Sequence, residues 1–351
     1  MPLMIFARLA FVCVFITCGC VACGAGGGDA NPDATADLGG DAGYAQDEKT
    51  TGGGGAIDAG PGVVEYGLPT PGASPLWITA GPDGNLWFTE DPGNQIGRIT
   101  PAGVITEFVV PTKASRPYAI TAGPDGNVWF TEQAAGQIGR ITPTGSVLEF
   151  AVPSGVGQPQ GITSGPDGNL WVAVGVRLAR VTPDGVFTCF PPASEPVPVS
   201  GTLGEVTAGP DGNLWFTEMY GNAIGRMSPS GAYAQFVLPN ASSVPRGITA
   251  GPDGNLWFTE EMTDKIGRIT PSGDIVEFAV ASAGMPTAIT RGLDGNLWFT
   301  DPGVGRITPA GSITLYSGPS FHGGPFGIAA GTDGGIWFTK ILGKTIARIV
   351  P

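Results

Sequence analysis

Gly251-Pro252-Asp253-Gly254-Asn255-Leu256-Trp257-Phe258-Thr259-Glu260 is the fifth of seven variants of one phrase that runs through the chain. The aspartates of the seven copies stand at Asp83, Asp125, Asp167, Asp211, Asp253, Asp294 and Asp333, which makes the spacings 42, 42, 44, 42, 41 and 39 residues. A nearly fixed period of this size marks a repeat architecture, and the content of one repeat says which. Pro252 presets φ while Gly254 and Asn255 accept positive φ, so the first half of the phrase is a hairpin turn. Leu256–Glu260 is rich in aromatic and β-branched residues and reads as a half-buried strand. Upstream, Pro245-Arg246-Gly247-Ile248-Thr249-Ala250 is a short first strand with little room for bulk, as a crowded central axis requires. Downstream, Ile266–Thr270 is a third strand, Pro271-Ser272-Gly273 a turn and Ile275–Phe278 an outer strand. Four strands in each of seven repeats predict an all-β, seven-bladed β-propeller with four antiparallel strands per blade. The tryptophans at 87, 129, 171, 215, 257, 298 and 337 occupy one repeat position, which reads as the packing layer between blades. The turn aspartates lack the alternating oxygen ligands of a Ca²⁺ loop and read as turn chemistry.

The last repeat ends at Arg348-Ile349-Val350-Pro351 without an outer strand. Val63–Thr70 matches the outer-strand stretch Ile105–Thr112, so the N-terminal segment is expected to complete the last blade and close the ring. The propeller domain is therefore 61–351.

The first 60 residues read differently. Arg8 precedes the apolar run Leu9–Ile16, too short to span a bilayer, so 1–23 is expected to be an export signal. Val21-Ala22-Cys23 resembles the small-residue lipobox of bacterial lipoproteins, with Cys20 as the rival acceptor, and Cys23 is the expected lipidation site. From 24 to 60 the chain is Gly, Ala, Asp and Thr with almost no bulky apolar residue, which predicts a disordered tether. Together these segments imply an exported protein, held at a bacterial cell envelope or secreted. The formal net charge of −13 disfavours nucleic acid and anionic lipid as partners, leaving membrane attachment only through a lipid anchor. Cys189 has no intrachain partner in the propeller, and a monomer is expected.

In a propeller the two kinds of repeated turn share one face, while the start of the innermost strand and the end of the second strand share the other. Variation concentrates on the second face. Just after the first residue of the innermost strand stand Leu76, Tyr118, Gln160, Gly204, Arg246, Thr287 and Phe326. At the end of the second strand stand Glu90, Glu132, Val174, Glu218, Glu260, Asp301 and Lys340. Both sets are expected to line one funnel, with Tyr118, Glu132, Gln160, Glu218, Arg246, Glu260 and Phe326 as its ligand-binding residues. The glutamates recur because the repeat recurs, which suits a structural role. Gathered at one mouth they could also hold a divalent cation, with Glu218 and Glu260 the metal candidates.

The phrase G-P-D-G-N-L-W-F-T-E, followed by I-G-R-I-T-P-x-G and then E-F, resembles the virginiamycin B lyase (streptogramin lyase) family over about residues 63–351, and more weakly the NHL-type propellers. That resemblance implies enzymes that linearise cyclic streptogramin B depsipeptides by elimination at the ester bond, assisted by Mg²⁺. It also implies histidines near the start of the innermost strand on consecutive blades, a metal-binding Glu two residues before one of them, and a further Glu at the end of a second strand. These roles fall on Gly204, Val244, Arg246 and Glu260, of which Glu260 alone fits. The chain's one histidine, His322, lies four residues before Phe326 and away from those positions. Glu260 and His322 are thus the catalytic candidates. The favoured expectation is a surface-anchored propeller that binds a small-molecule or peptide ligand without catalysis. The alternatives are a Mg²⁺-dependent streptogramin B lyase with a rearranged site and a metal-dependent lactone hydrolase.

Overall fold

The computed structural model describes residues 56–58, 62–191, 201–282 and 284–349. The expected signal segment, Cys23, most of the tether and the Pro-rich stretch after Pro191 lie outside these residues. What is described is a ring of seven antiparallel sheets. The fifth blade shows the plan: Pro245–Ala250 innermost, then Leu256–Glu260, Lys265–Ile269 and Ile275–Ala279 outward. Among the described residues the one helical element is a short 3₁₀ turn, Pro319–Phe321.

The repeated phrase folds as it does because each residue has a partner. Asp253 accepts hydrogen bonds from the Asn255 backbone N–H and side-chain amide within the turn, and from the Trp257 indole N–H at 3.0 Å. All seven repeat tryptophans donate to the turn aspartate of their own blade in this way. All seven are fully buried. An indole buried with its N–H satisfied contributes its apolar area without a desolvation penalty. Each indole then stacks on the aromatic of the outer strand, as Trp257 does on Phe278 at 5.5 Å. Arg268, on the third strand, lies over both rings and donates to the Pro309 carbonyl in the next blade's turn. The strand glycine of the same phrase, Gly267, is required by packing, since a Cβ there would lie 2.1 Å from Phe258.

Blades are also joined at the axis. Thr259 accepts from Gly247 N–H of its own innermost strand and donates to the Thr287 carbonyl of the next blade. The same stitch links Thr89 to Tyr118, Thr217 to Arg246, Thr300 to Phe326 and Thr339 to Leu76. The last of these joins the seventh blade to the first. The third blade carries Ala173 at this position and so has no hydroxyl to donate.

Ring closure follows the expectation. Val63–Gly67 pairs antiparallel with Thr345–Ile349, and Tyr66 stacks on Trp337 at 5.6 Å. Ala56–Asp58, which the sequence reading placed in the tether, pairs with Val64–Tyr66 as a fifth strand of this blade. Composition alone did not reveal it, because backbone pairing to an open sheet edge asks little of the side chains.

Candidate functional site

The innermost strands carry two positions that matter here. The first holds Leu76, Tyr118, Gln160, Gly204, Arg246, Thr287 and Phe326, and the strand bulges just after it. The next position is small in most blades: Ala119, Gly161, Gly247, Ala288 and Gly327. Close approach demands this, since a Cβ on Gly327 would lie 2.4 Å from the Leu76 carbonyl. Two blades break the rule with Trp77 and Glu205.

Those two exceptions build the centre. Trp77 meets Tyr118 edge-on at 6.1 Å and Phe326 edge-on at 5.5 Å. The Arg246 guanidinium lies over the Phe326 ring, 5.1 Å from its centroid. It is paired with Glu261 at 3.0 Å and 3.2 Å, and it also hydrogen-bonds Tyr118. Residues from the first, second, fifth and seventh blades therefore meet across the axis as one floor. Burial opposes the charge on Arg246, but Tyr118 and Glu261 outweigh it and hold the guanidinium above its ordinary range. Glu205, on the fourth blade, faces the same charge. Burial pushes its carboxyl up to about 8, against the pull of Arg246.

Trp77 differs from the other seven tryptophans in two respects, the first being that its indole N–H is buried without an acceptor. Its ring sits half-buried at the axis while the others are sealed in the core.

Sequence reading named Tyr118, Arg246 and Phe326, and the structure brings these three together. Gln160 lies half-buried and accepts from Gln133 at 2.6 Å. Trp77, Glu205 and Glu261 were missed. For Trp77 and Glu205 the signal was present, in eight tryptophans against seven repeats and in bulk at a position otherwise small; Glu261 carries no such mark.

The glutamates at the ends of the second strands correct the expectation that they line the funnel. Glu132, Glu218 and Glu260 are wholly buried. The reason is strand alternation: the preceding Thr points to the axial stitch, so the Glu points to the opposite face of its blade. Glu260 accepts from the Thr263 hydroxyl at 2.9 Å. Burial raises its carboxyl, Ser243 and Thr263 pull it back, and Glu277 adds to the rise while Lys265 opposes it. Glu218 accepts from the Tyr233 hydroxyl and the Gln235 amide, each at 2.6 Å. Burial first, then Glu149, pushes Glu132 up to about 7, with Ser115 lowering it. His322 is exposed at the end of the 3₁₀ turn.

The positions implied for base and metal ligands do not fit Mg²⁺. At Gly204 a Cβ would lie 2.6 Å from the Thr217 hydroxyl, so the packing leaves no room for a longer side chain. Val244 is apolar, Arg246 is a cation, and Glu260 is turned into its blade. Among the described residues, no three His, Cys, Asp or Glu side chains converge on a point.

The comparisons with known proteins fit this geometry. The model of the virginiamycin B lyase family matches residues 43–181 and 175–351. A streptogramin B lyase structure is 35% identical, with 82% of this chain and 96% of that one covered and a TM-score of 0.75. A catalytically inactive histidine-to-alanine variant of virginiamycin B lyase from Staphylococcus aureus, solved with quinupristin, is 37% identical, covering 82% of this chain and 99% of that one at a TM-score of 0.76. A propeller solved with a bound peptide shares the fold alone, at 14% identity, 85% of this chain and 99% of that one covered and a TM-score of 0.66.

Proposed function

The chain belongs to the virginiamycin B lyase family, and from that premise we propose that it is a binding member, which holds a cyclic peptide or depsipeptide on its axial floor and leaves it intact. Elimination at an ester needs a base for the proton beside the carbonyl, an acid for the leaving oxygen and a charge to steady the enolate. Arg246 stands where a histidine is implied, and a guanidinium stays protonated and cannot act as that base. Gly204 supplies no functional group, and Glu260 is wholly buried and held by the Thr263 hydroxyl.

Binding is supported by one observation above the rest: the unpartnered N–H of Trp77, whose ring meets those of Tyr118 and Phe326 in edge-to-face contacts. A buried donor without an acceptor costs about 1–3 kcal/mol, and a ligand carbonyl would recover that cost. The aromatic edges and the Arg246–Phe326 stack offer apolar and cationic surface around it, as peptide ligands with aromatic side chains require. Gln160 borders the same face.

The test is a titration with a streptogramin B depsipeptide, followed by tryptophan fluorescence. Saturable quenching is expected, lost in Trp77→Phe and weakened about tenfold or more in Arg246→Ala. A flat titration, or quenching that survives in Trp77→Phe, sinks the reading. The same proposal holds the protein at the cell envelope as a monomer through a lipid on Cys23. Palmitate labelling that persists in Cys23→Ala and disappears in Cys20→Ala would move the anchor to Cys20.

A further inference from the structure

Trp77 is one of the two bulky exceptions on the innermost strands, and Glu205 is the other. Glu205 stands on Leu203–Ala208 of the fourth blade. Thr217 fixes it there, since its hydroxyl accepts the Glu205 N–H at 3.1 Å and donates to the Arg246 carbonyl at 2.9 Å. Glu205 and Arg246 are thereby held on adjoining innermost strands. On the other side the carboxyl lies over Gly161 of the third blade, where a Cβ would come within 2.9 Å of Glu205 Oε2. Glu205 is half-buried at the axis, and no described residue engages its carboxyl in a hydrogen bond.

One cation and two carboxyls share this part of the floor. Glu261 holds the Arg246 guanidinium through both of its oxygens, so Arg246 has no second unit of charge for Glu205. The strands packed against Leu203–Ala208 bring no other cation. Their one further titratable group, Glu218, is satisfied by Tyr233 and Gln235. In such a space the uncompensated carboxyl keeps its proton. Burial raises it to about 8, and the pull of Arg246 offsets only part of that rise. A protonated carboxyl is a hydrogen-bond donor as well as an acceptor. Both bulky exceptions therefore bring to the axis a donor that the protein itself does not use.

We propose that Glu205 contacts the ligand directly, its carboxyl O–H donating to one carbonyl oxygen of the bound peptide while the Trp77 N–H donates to another. This contact rests on the binding function proposed above, and it narrows the ligand to one that offers two uncharged carbonyl acceptors, as an ester or amide chain does. It also ties affinity to the proton. A carboxyl that titrates near 8 is about nine-tenths protonated at pH 7 and about one-tenth at pH 9, and only the protonated fraction can donate.

The test is calorimetric titration of the full chain with a streptogramin B depsipeptide at pH 6, 7, 8 and 9, in the parent, Glu205→Gln and Glu205→Leu. Affinity of the parent is expected to be about tenfold weaker at pH 9 than at pH 7. Binding at pH 9 is expected to take up a proton, read as a heat that changes with the ionisation enthalpy of the buffer. Glu205→Gln, whose amide keeps a donor, is expected to match the parent at pH 7 and to hold that affinity to pH 9 without proton uptake. Glu205→Leu is expected to bind about tenfold or more weakly at pH 6 and 7. Parent affinity that stays level from pH 7 to pH 9, or a fall that persists in Glu205→Gln, would overturn the contact and leave the binding function standing. Parent-like affinity in Glu205→Leu at pH 7 would do the same. An absence of binding at pH 6 and 7 would overturn both.

Discussion

At the scale of single residues, the chain is governed by which polar atoms find partners in the interior. Seven indoles give their N–H to seven turn aspartates, and Asp83, Asp125, Asp167, Asp211, Asp253 and Asp294 are held below the ordinary carboxylate range despite burial, because the indole and asparagine bonds favour the charged form. Glu205 is the opposite case, with burial raising it to about 8 against Arg246. The folded protein therefore keeps a proton that the unfolded chain, with an ordinary value near 4.5, has released. The stability this contributes is fully present below that ordinary value and is lost as pH rises through about 8. Urea midpoints measured from pH 5 to pH 9 are expected to fall less steeply in Glu205→Gln than in the parent protein. Parallel slopes would show that Glu205 titrates as it does in the unfolded chain.

At the scale of the element, the Thr of each second strand works harder than its place in the phrase suggests. One hydroxyl satisfies the innermost strand of its own blade and the carbonyl of the next, so it couples packing within a blade to cohesion of the ring. Thr259→Val keeps the shape, removes both bonds and leaves the buried Gly247 N–H without a partner. A loss of about 1–3 kcal/mol in denaturant unfolding is expected, and a change below a few tenths would mean that water replaces the hydroxyl. These elements were legible because their local chemistry agrees with the global fold: turn residues, aromatic strands and the 42-residue period all point to one answer. The stitch was not legible, since nothing in the sequence says which neighbour a Thr will bond. The direction of Glu132, Glu218 and Glu260 was misread for a related reason. Two consecutive residues at a strand end cannot both face the axis, and the alternation fixes which does only once Thr is known to.

At the scale of the whole molecule, a sevenfold scaffold is made specific by departures from its own repeat. The floor across the axis rests on Trp77 and Glu205, which stand where the other blades keep Gly or Ala, and on Arg246 and Phe326 at variable positions. Sequence exposes such departures as breaks in a pattern, but it does not show that residues from five blades converge. Only the ring geometry does that. The central claim is that this family member binds on that floor without opening its ligand. The most direct measurement is prolonged incubation of the protein with a streptogramin B depsipeptide and Mg²⁺, followed by chromatography and mass spectrometry. The depsipeptide is predicted to return with its mass and retention unchanged. A linear product of unchanged mass at a new retention time, formed by the parent protein and lost in Glu260→Ala, would contradict the account and place an elimination site on this propeller.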